Sequence, residues 1–379
     1  MRKLYWVIPI LLFGFISCDN ENESISEIQE IKVQEPDSTA YYDSIYSPYK
    51  SSIDSYFNRL NNLNLFNGVI LFADQNHVIT EKAYGFAHVR PYDSLTVHHT
   101  FQLASASKPF TSTAIMQLVE KGKIALNDSV NQYIDSFKYS GITIEMLLTH
   151  QSGLSKYTHF CDNPDTIWLN KDSTITNENV VDIMSDINPP LASTPGRKHY
   201  YSNTNYILLA QIVENVSGMT FEDYMQENIF TPANMFDTRI YNRTNEDELC
   251  TPTKGYTSGL IPEIDIYLNG CVGDKGIYSS ARDLYNFHTS LQNEELLSQQ
   301  LMDSAFAPRV RASHGEQKYG YGWRILEHEN NIVFHTGWWK GYRTYFIRIP
   351  EKNQVAIVLT NIIKGSFLNI EELAGMLPK

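Results

Sequence analysis

Cysteine and positive charge are both scarce in this sequence of 379 residues. There are four cysteines, and none belongs to a Cys-x-x-Cys pair or to a Cys/His group with the spacing of a metal site, so no metal centre is predicted. Lys and Arg number 30 against 43 Asp and Glu, which leaves a formal net charge of -13. Because phosphate binding relies on a basic surface, this balance argues against a nucleic-acid partner.

Long apolar runs are also rare, and the clearest one lies at the N-terminus. Residues 4–16 follow Arg2 and Lys3 and are too short to cross a bilayer comfortably. The run ends at Ser17-Cys18, which resembles a bacterial lipoprotein signal, where cleavage leaves a lipid-bearing cysteine. We expect residues 1–18 to be this signal, and the exported protein to be lipid-anchored through Cys18 to the cell envelope, periplasmic or at the cell surface. An ordinary signal peptide with an incidental cysteine is the alternative.

The rest of the chain divides into an acidic segment and a folded region. Residues 19–45 contain few large apolar side chains and are predicted to form a disordered, solvated tether. The folded domain is predicted to span residues 46–379, with a helical subdomain at about 128–304. Cys250 and Cys271 could pair in an oxidising compartment, and small buried side chains are an equally good interpretation.

Apolar patterns predict strands at both ends of the folded region and helices between them. The predicted strands are residues 69–72, 77–85, 321–326, 332–335, 342–349 and 355–361, and a helix is predicted over residues 101–122. The fold class is therefore α/β of the α+β type, an antiparallel sheet flanked by helices with an inserted helical domain. Ligands are expected in the cleft between the two parts.

The strongest local motif is Ser105-x-x-Lys108 at the start of the predicted helix. Residues three apart lie on one helix face, so the two side chains can touch. A serine hydroxyl becomes a useful nucleophile when a nearby base takes its proton, and a lysine in a cleft can be that base. The helix N-terminus adds backbone N–H groups suited to a developing oxyanion. A helix cap beside a surface lysine is the structural alternative.

Two further motifs follow along the chain. Tyr201 and Asn203 stand before an apolar helix, where the tyrosine can exchange a proton with a lysine and the amide can orient a substrate. His335-Thr336-Gly337 ends an apolar strand, and glycine at a strand edge lets a substrate backbone approach closely. Each motif alone also fits an ordinary loop, helix cap or strand end.

In this order, the three motifs resemble the serine β-lactamase and penicillin-binding protein superfamily. The resemblance is closest to the branch of class C β-lactamases, D-alanyl-D-alanine carboxypeptidases and related esterases, and it covers the chain from about Leu60 to the C-terminus. Residues 147–154, 201–206, 273–280 and 319–323 also fit this branch. The implied architecture is β-lactamase/transpeptidase-like.

The resemblance implies a mechanism that needs no cofactor or metal. Ser105 attacks an acyl carbonyl while Lys108 and Tyr201 share its proton, and Tyr201 then activates water to release the acyl group. The oxyanion lies between the backbone N–H groups of Ser105 and Trp338. The residues assigned to substrate binding are Asn203, His335, Thr336, Gly337 and Trp338.

One departure from the family pattern bears on the substrate. The third motif often begins with a lysine that holds a substrate carboxylate, and His335 supplies no fixed cation. We therefore expect a serine hydrolase of D-Ala-type peptides, β-lactam-like amides or esters, and a carboxypeptidase or esterase rather than an efficient β-lactamase. A catalytically silent cell-wall-peptide-binding protein, or a slow-deacylating sensor or trans-acylase, is the alternative, although Ser105, Lys108 and Tyr201 are all present.

Overall fold

The structure is a computed structural model that describes residues 38–162, 174–312, 317–327, 330–363 and 368–379, with side chains from Tyr42 onward. The predicted signal peptide with Cys18 and most of the predicted tether lie outside these residues. Tyr42–Lys379 form one compact unit. Within the described ranges, no helix combines the length and the apolar character needed to cross a membrane.

The helices and strands of the described residues run as follows. The helices are α1 Ser38–Asn62, α2 Lys108–Glu120, α3 Ile144–Leu148, α4 Tyr157–Phe160, α5 Asn177–Ile187, α6 Thr204–Ser217, α7 Phe221–Met225, α8 Ala281–Gln292, α9 Gln299–Phe306 and α10 Ile370–Ala374. The strands are β1 Gly68–Asp74, β2 His77–Tyr84, β3 Phe86–Val89, β4 Tyr92–Ser94, β5 Phe101–Gln102, β6 Arg239–Ile240, β7 Ile277–Ser279, β8 Val310–Arg311, β9 Lys318–Tyr319, β10 Arg324–Leu326, β11 Ile332–Trp339, β12 Tyr342–Ile349 and β13 Gln354–Thr360.

The main sheet joins the two ends of the folded region. Its strand order is β2-β1-β13-β12-β11-β10-β9-β8, and its pairings are antiparallel. Strand β1 pairs with β13 from Gly68 opposite Thr360 to Asp74 opposite Gln354. The prediction of an antiparallel sheet flanked by helices and built from distant parts of the chain is confirmed.

Both faces of this sheet are covered. Side chains alternate along a strand, so Val69 and Leu71 of β1 enter one apolar core while Ile70 and Phe72 enter another. The first core contains helices α2, α6 and α8, and the second contains α1 and α10. A strand buried on both faces has a continuous apolar sequence, which explains why β1 and β13 lack the polar alternation of a half-exposed strand.

Between α3 and α9, most of the regular secondary structure of the described residues is helical. This part of the chain also carries the short strands β6 and β7, which pair with β5 in a small sheet of order β5-β7-β6. Strands of two or three residues have no periodic pattern, which is why the sequence does not predict them. The boundaries 128–304 of an inserted subdomain stay a prediction.

Helix α1 extends into the segment that the sequence predicts to be a tether. Helix α1 starts at Ser38, before the predicted boundary at Tyr46, because Tyr46, Ile53 and Phe57 recur at helical spacing and bury one face of the helix. The acidic composition of the preceding residues concealed this pattern. The cysteines Cys161, Cys250 and Cys271 are free, so the suggested pairing of Cys250 with Cys271 is not formed in the structure.

Candidate active site

Ser105 and Lys108 are in contact at the junction of a short 3-10 turn and helix α2. Lys108 Nζ lies 3.1 Å from Ser105 Oγ. The predicted helix over 101–122 begins later than expected, because residues 101–102 form β5 and Ala104–Ser107 form the 3-10 turn. In a 3-10 turn, side chains three apart are nearly eclipsed, so this local geometry favours the contact.

The turn presents Ser105 at the edge of the fold under backbone strain. Ala104 has a φ of 51°, in the left-handed region that residues with a Cβ rarely adopt. The Ala104 side chain is buried, whereas Ser105 is only partly buried. This arrangement holds the Ser105 hydroxyl at the surface of a cleft while its neighbours belong to the core.

Lys108 is fully buried, and its Nζ contacts a hydroxyl and a backbone carbonyl rather than a carboxylate. Besides Ser105 Oγ, Nζ donates to the backbone carbonyl of Asp274 at 2.9 Å. The Asp274 carboxylate instead lies 3.5 Å from Lys275 Nζ, and Tyr157 donates to it at 3.2 Å. Lys108 is therefore not locked in an ion pair with Asp274 and is placed to exchange a proton with Ser105.

Tyr201 lies beside this pair, just before helix α6. Lys108 Nζ is 5.1 Å from the centroid of the Tyr201 ring, and Tyr201 and Ser105 line the same cleft. The ring of His150 packs against Tyr201 with its centroid 4.2 Å away. The three motif residues Ser105, Lys108 and Tyr201, separated by up to 96 positions in sequence, thus meet in one place.

Asn203 directly precedes helix α6 but does not act as its cap. Its side chain makes no cap hydrogen bond. Its Oδ1 is buried and has no hydrogen-bond partner in the part of the chain that the structure describes. Asn203 is not among the residues that line the cleft of Ser105 and Tyr201, so its contact with substrate stays a prediction.

Strand β11 closes the other side of the cleft. A side chain at Gly337 would place its Cβ 1.9 Å from the carbonyl oxygen of Leu103, so only glycine lets the strand approach the turn that carries Ser105. The cleft has a volume of about 450 Å³, and Thr336, Gly337 and Trp338 line it together with Ser105 and Tyr201. The Trp338 side chain is 61% exposed and offers a large apolar surface to a ligand.

His335 lies behind the cleft, which differs from its predicted contact with substrate. Successive side chains of a strand point to opposite faces, so His335 and Thr336 face opposite ways and only Thr336 lines the cleft. His335 is fully buried, its Nδ1 is 2.8 Å from the carbonyl of Thr336, and its Nε2 is 3.2 Å from the hydroxyl of Tyr319. Since a carbonyl only accepts, Nδ1 carries the proton and Nε2 accepts from Tyr319.

Burial keeps the histidines around the site neutral. Burial lowers the pKa of His335 well below its ordinary value, and the positive charges of Arg324 and Lys108 lower that pKa further. The pKa of His150 is also lowered, first by burial and then by nearby His199 and Lys108. Neutral imidazoles can pack against Tyr201 and Lys108 without adding positive charge to the site.

Arginines in the cleft are the main functional feature that the sequence analysis missed. Arg324 and Arg343 both line the cleft. The Arg324 guanidinium lies over the rings of Tyr201 at 5.5 Å and Tyr319 at 5.9 Å. The cation that His335 does not supply is thus present from another strand. The only sequence signal for it was its place directly after the family segment 319–323.

The loop around Asp274 is a second omission. Residues 273–280 were predicted to fit the family but were given no role in the site. In the structure the Asp274 carbonyl accepts a hydrogen bond from Lys108, and the Asp274 carboxylate belongs to a buried group with Lys275 and Tyr157. An acidic and a basic residue side by side in a Gly-rich loop were the available signal.

Comparison with known proteins assigns this arrangement to a family. The beta-lactamase family model matches residues 59–372, which include every motif described above except the N-terminal signal. The chain belongs to the beta-lactamase family. This membership confirms the resemblance predicted from the motifs, and it supports a hydrolase of the serine type.

Individual members of the beta-lactamase family resemble the chain over most of its length. Penicillin-binding protein 4* of Bacillus subtilis is 34% identical over 82% of this chain and 72% of its own length. The chain spans 61% and 59% of the length of two further curated relatives that it matches.

Two solved structures share the fold of this chain. A penicillin binding protein from Bacillus halodurans has a TM-score of 0.71 and 24% identity over 83% of this chain and 96% of that chain. A D-amino acid amidase from Ochrobactrum anthropi SV3, in complex with L-phenylalanine, has a TM-score of 0.71 and 20% identity over 88% of this chain and 95% of that one.

Proposed function

We propose that this protein is a serine hydrolase that forms an acyl-enzyme on Ser105. The observation that carries the proposal is the 3.1 Å contact between Ser105 Oγ and Lys108 Nζ, at a cleft that Tyr201 also lines. A nucleophile within hydrogen-bond reach of a base, with a third group beside both, is the arrangement that activated serines use.

In acylation, the Ser105 hydroxyl oxygen bonds to the carbonyl carbon of an amide or ester. Its proton passes to the unprotonated amine of Lys108, either directly or through the Tyr201 hydroxyl, which gives its own proton to Lys108 as it accepts one. The same path then returns the proton to the departing amine or alcohol. Backbone N–H groups of Ser105 and Trp338 are the proposed donors to the oxyanion. The close approach of Gly337 to the turn of Ser105 supports this pairing.

In deacylation, water replaces the leaving group. The Tyr201 hydroxyl oxygen takes a proton from this water while it gives its own proton to the amine of Lys108, and the water oxygen bonds to the ester carbon. The same proton then returns from Lys108 to the Ser105 oxygen as the bond between Ser105 and the acyl group breaks. The side-chain amide of Asn203 and the hydroxyl of Thr336, which lines the cleft, are proposed to hold the substrate backbone. His335 is proposed to fix this strand from behind by its hydrogen bond with Tyr319 rather than to touch the substrate.

Substrates with a free carboxylate near the scissile bond fit the cleft best. Arg324 lines the cleft with its guanidinium over the ring of Tyr201, and its Nη1 donates to Gln317 Oε1 at 3.2 Å. A guanidinium pairs well with a carboxylate because its parallel N–H groups match the two oxygens. We propose D-Ala-type peptides as the substrate class, with β-lactam-like amides and simple esters as poorer substrates.

The decisive experiment is covalent labelling followed by turnover. Fluorescent penicillin and a fluorophosphonate probe are expected to label the wild type and not Ser105→Ala. Ser107→Ala is the matched control, because Ser107 is buried and accepts a hydrogen bond from the Ile277 N–H, so labelling should persist. Labelling of Ser105→Ala at the wild-type level would exclude the proposed nucleophile.

A substrate panel then separates the remaining functions. D-Ala-D-Ala peptides, p-nitrophenyl esters and nitrocefin are each assayed for a burst and for steady turnover. Turnover of the peptides supports the hydrolase. A burst without turnover identifies a slow-deacylating sensor or trans-acylase, and no labelling with retained peptide binding identifies a silent binding protein.

We also propose that the protein is exported and anchored to the cell envelope by a lipid on Cys18. The support is the sequence of residues 2–18 alone. Metabolic labelling with an alkynyl fatty acid should mark the wild type and not Cys18→Ala, and only the wild type should remain with the membrane fraction. Equal membrane retention of Cys18→Ala would contradict the anchor.

A further inference from the structure

A second cavity lies between the main sheet and helices α8 and α9. It has a volume of about 430 Å³, and its lining includes Met302, Asp303, Phe306, Arg348 and Glu351. None of the residues lining this cavity also lines the cleft of Ser105. Nothing in the proposed hydrolase mechanism uses it.

Arg348 is the unusual member of this lining. It lies on β12 and is fully buried, with its guanidinium 5.3 Å from the ring of Phe306 and 5.7 Å from that of Trp323. Burial lowers the pKa of Arg348 to about 9, so the side chain still carries its charge at pH 7. A buried charge is expensive unless hydrogen bonds and an opposite charge compensate it.

That compensation is incomplete. Arg348 Nε donates to His288 Nδ1 at 2.9 Å, and Nη2 is 3.5 Å from the His288 carbonyl. Nη1 is buried and has no hydrogen-bond partner in the described part of the chain. Among the described residues, no carboxylate oxygen lies within 4.0 Å of the guanidinium.

His288 cannot act as the missing counter-charge. Burial lowers its pKa well below the ordinary value, and the charge of Arg348 lowers it further, so the imidazole is neutral. Its Nδ1 accepts from Arg348, and its Nε2 lies 3.1 Å from Asn353 Oδ1, which accepts the remaining proton. The histidine orients the guanidinium and leaves Nη1 for a ligand.

The lining of this cavity also carries negative charge. Asp303 and Glu351 are exposed, so they repel a simple anion at the entrance and attract an ammonium group. We propose that this cavity binds a small zwitterion, with its carboxylate against Arg348 and its ammonium towards Asp303 or Glu351. The cavity is large enough for an amino acid or a short amino carboxylate, and the site is independent of the hydrolase proposal.

The test is a ligand-observed NMR titration of the full chain with glycine, 4-aminobutyrate, acetate and methylammonium. At least one of the two zwitterions should bind more tightly than both single-charge probes. Substitution of Arg348→Met should weaken that binding about tenfold or more, because a charge-assisted hydrogen bond is lost. Its Tm should change little, since removal of an incompletely compensated buried charge offsets the loss of the hydrogen bonds to His288.

Two further variants keep the test decisive. Ala307→Trp fills the cavity lining without changing Arg348, so loss of zwitterion binding there supports the site even if Arg348→Met does not fold. Arg324→Gln should leave the binding unchanged. Binding that disappears in Arg324→Gln and persists in Arg348→Met would move the ligand to the catalytic cleft and overturn the proposal, as would the absence of binding by either zwitterion to the wild type.

Discussion

The backbone carbonyl of Asp274 accepts a hydrogen bond of 2.9 Å from Lys108 Nζ, the same nitrogen that contacts Ser105 Oγ. The position of the proposed base therefore depends on the conformation of the loop after Gly273. Gly273 has a φ of 95°, and a side chain there would place its Cβ 2.5 Å from the carbonyl oxygen of Tyr206. A loop packed this tightly against helix α6 fixes Lys108 against Ser105 before any substrate binds.

Lys108→Met should abolish acylation without unfolding the protein. The lysine makes no ion pair with Asp274, so an apolar chain of similar length removes the proton acceptor at little cost in stability. The rate of labelling by fluorescent penicillin should fall by about 100-fold or more, the contribution of a general base. Labelling at the wild-type rate by a folded Lys108→Met protein would remove this residue from the mechanism.

Lys275→Met, unlike Lys108→Met, should strongly destabilise the folded protein. Lys275 is almost fully buried, lies 3.5 Å from Asp274 Oδ1 and donates to the Tyr157 hydroxyl at 2.7 Å. Its removal leaves a buried carboxylate without its cation, which costs about 3 to 5 kcal/mol. Urea denaturation should therefore show a much less stable protein than Lys108→Met. Equal stability of the two variants would mean that the Asp274–Lys275 pair does not support the loop.

The sequence alone predicts those parts of the site whose contacts are local. Ser105 and Lys108 are three residues apart, so helical geometry alone brings them together. Tyr201 came only from the order of motifs, because the chain between Lys108 and Tyr201 has no pattern that fixes its path. The long strands β1 and β13 were predictable for the same local reason, since each is a continuous apolar run.

The parts that the sequence did not predict depend on pairing between strands. Arg324 reaches the cleft because β10 is placed beside β11, with Arg324 opposite Phe334. His335 was expected in the cleft from its motif, yet the alternation of β11 turns it to the face behind Thr336. Strand register, and the side of the sheet that a residue faces, depend on the tertiary structure. A motif of three residues does not specify either.

Arg324→Gln should lower kcat/KM for substrates that have a carboxylate more than for substrates that lack one. The guanidinium lies over Tyr201, where it can pair with a substrate carboxylate but takes no proton. We expect kcat/KM for D-Ala-D-Ala peptides to fall about tenfold or more, while p-nitrophenyl acetate, which has no carboxylate, changes little.

The control for this prediction is Arg59→Gln. Arg59 is exposed on α1, which packs in the core on the other side of the sheet from α2, so both substrates should be unaffected. A parallel loss with both substrates in Arg324→Gln would indicate that the arginine positions Tyr201 and does not select a carboxylate.

Stability should decrease as the pH falls below about 6.5, because of buried neutral histidines. The folded-state pKa of His335 is well below its ordinary value of 6.5, and burial is the main cause. Below pH 6.5 the unfolded chain therefore binds a proton that the folded chain does not, which favours unfolding. The stabilising contribution is complete above pH 6.5, and its loss reaches up to about 2 kcal/mol at pH 5 for one such histidine.

Replacement of the histidine tests this argument directly. His335→Asn removes the titrating group, so its free energy of unfolding, measured in urea at pH 7.5 and pH 5, should depend less on pH than that of the wild type. The variant is expected to be less stable at pH 7.5, since it loses the bond with the Tyr319 hydroxyl, and this loss should be smaller at pH 5. His98→Asn, at an exposed position, should keep the wild-type difference between the two pH values. An unchanged pH dependence in His335→Asn would mean that the imidazole takes up a proton in the folded protein. It would contradict the interpretation that His335 is neutral behind the cleft.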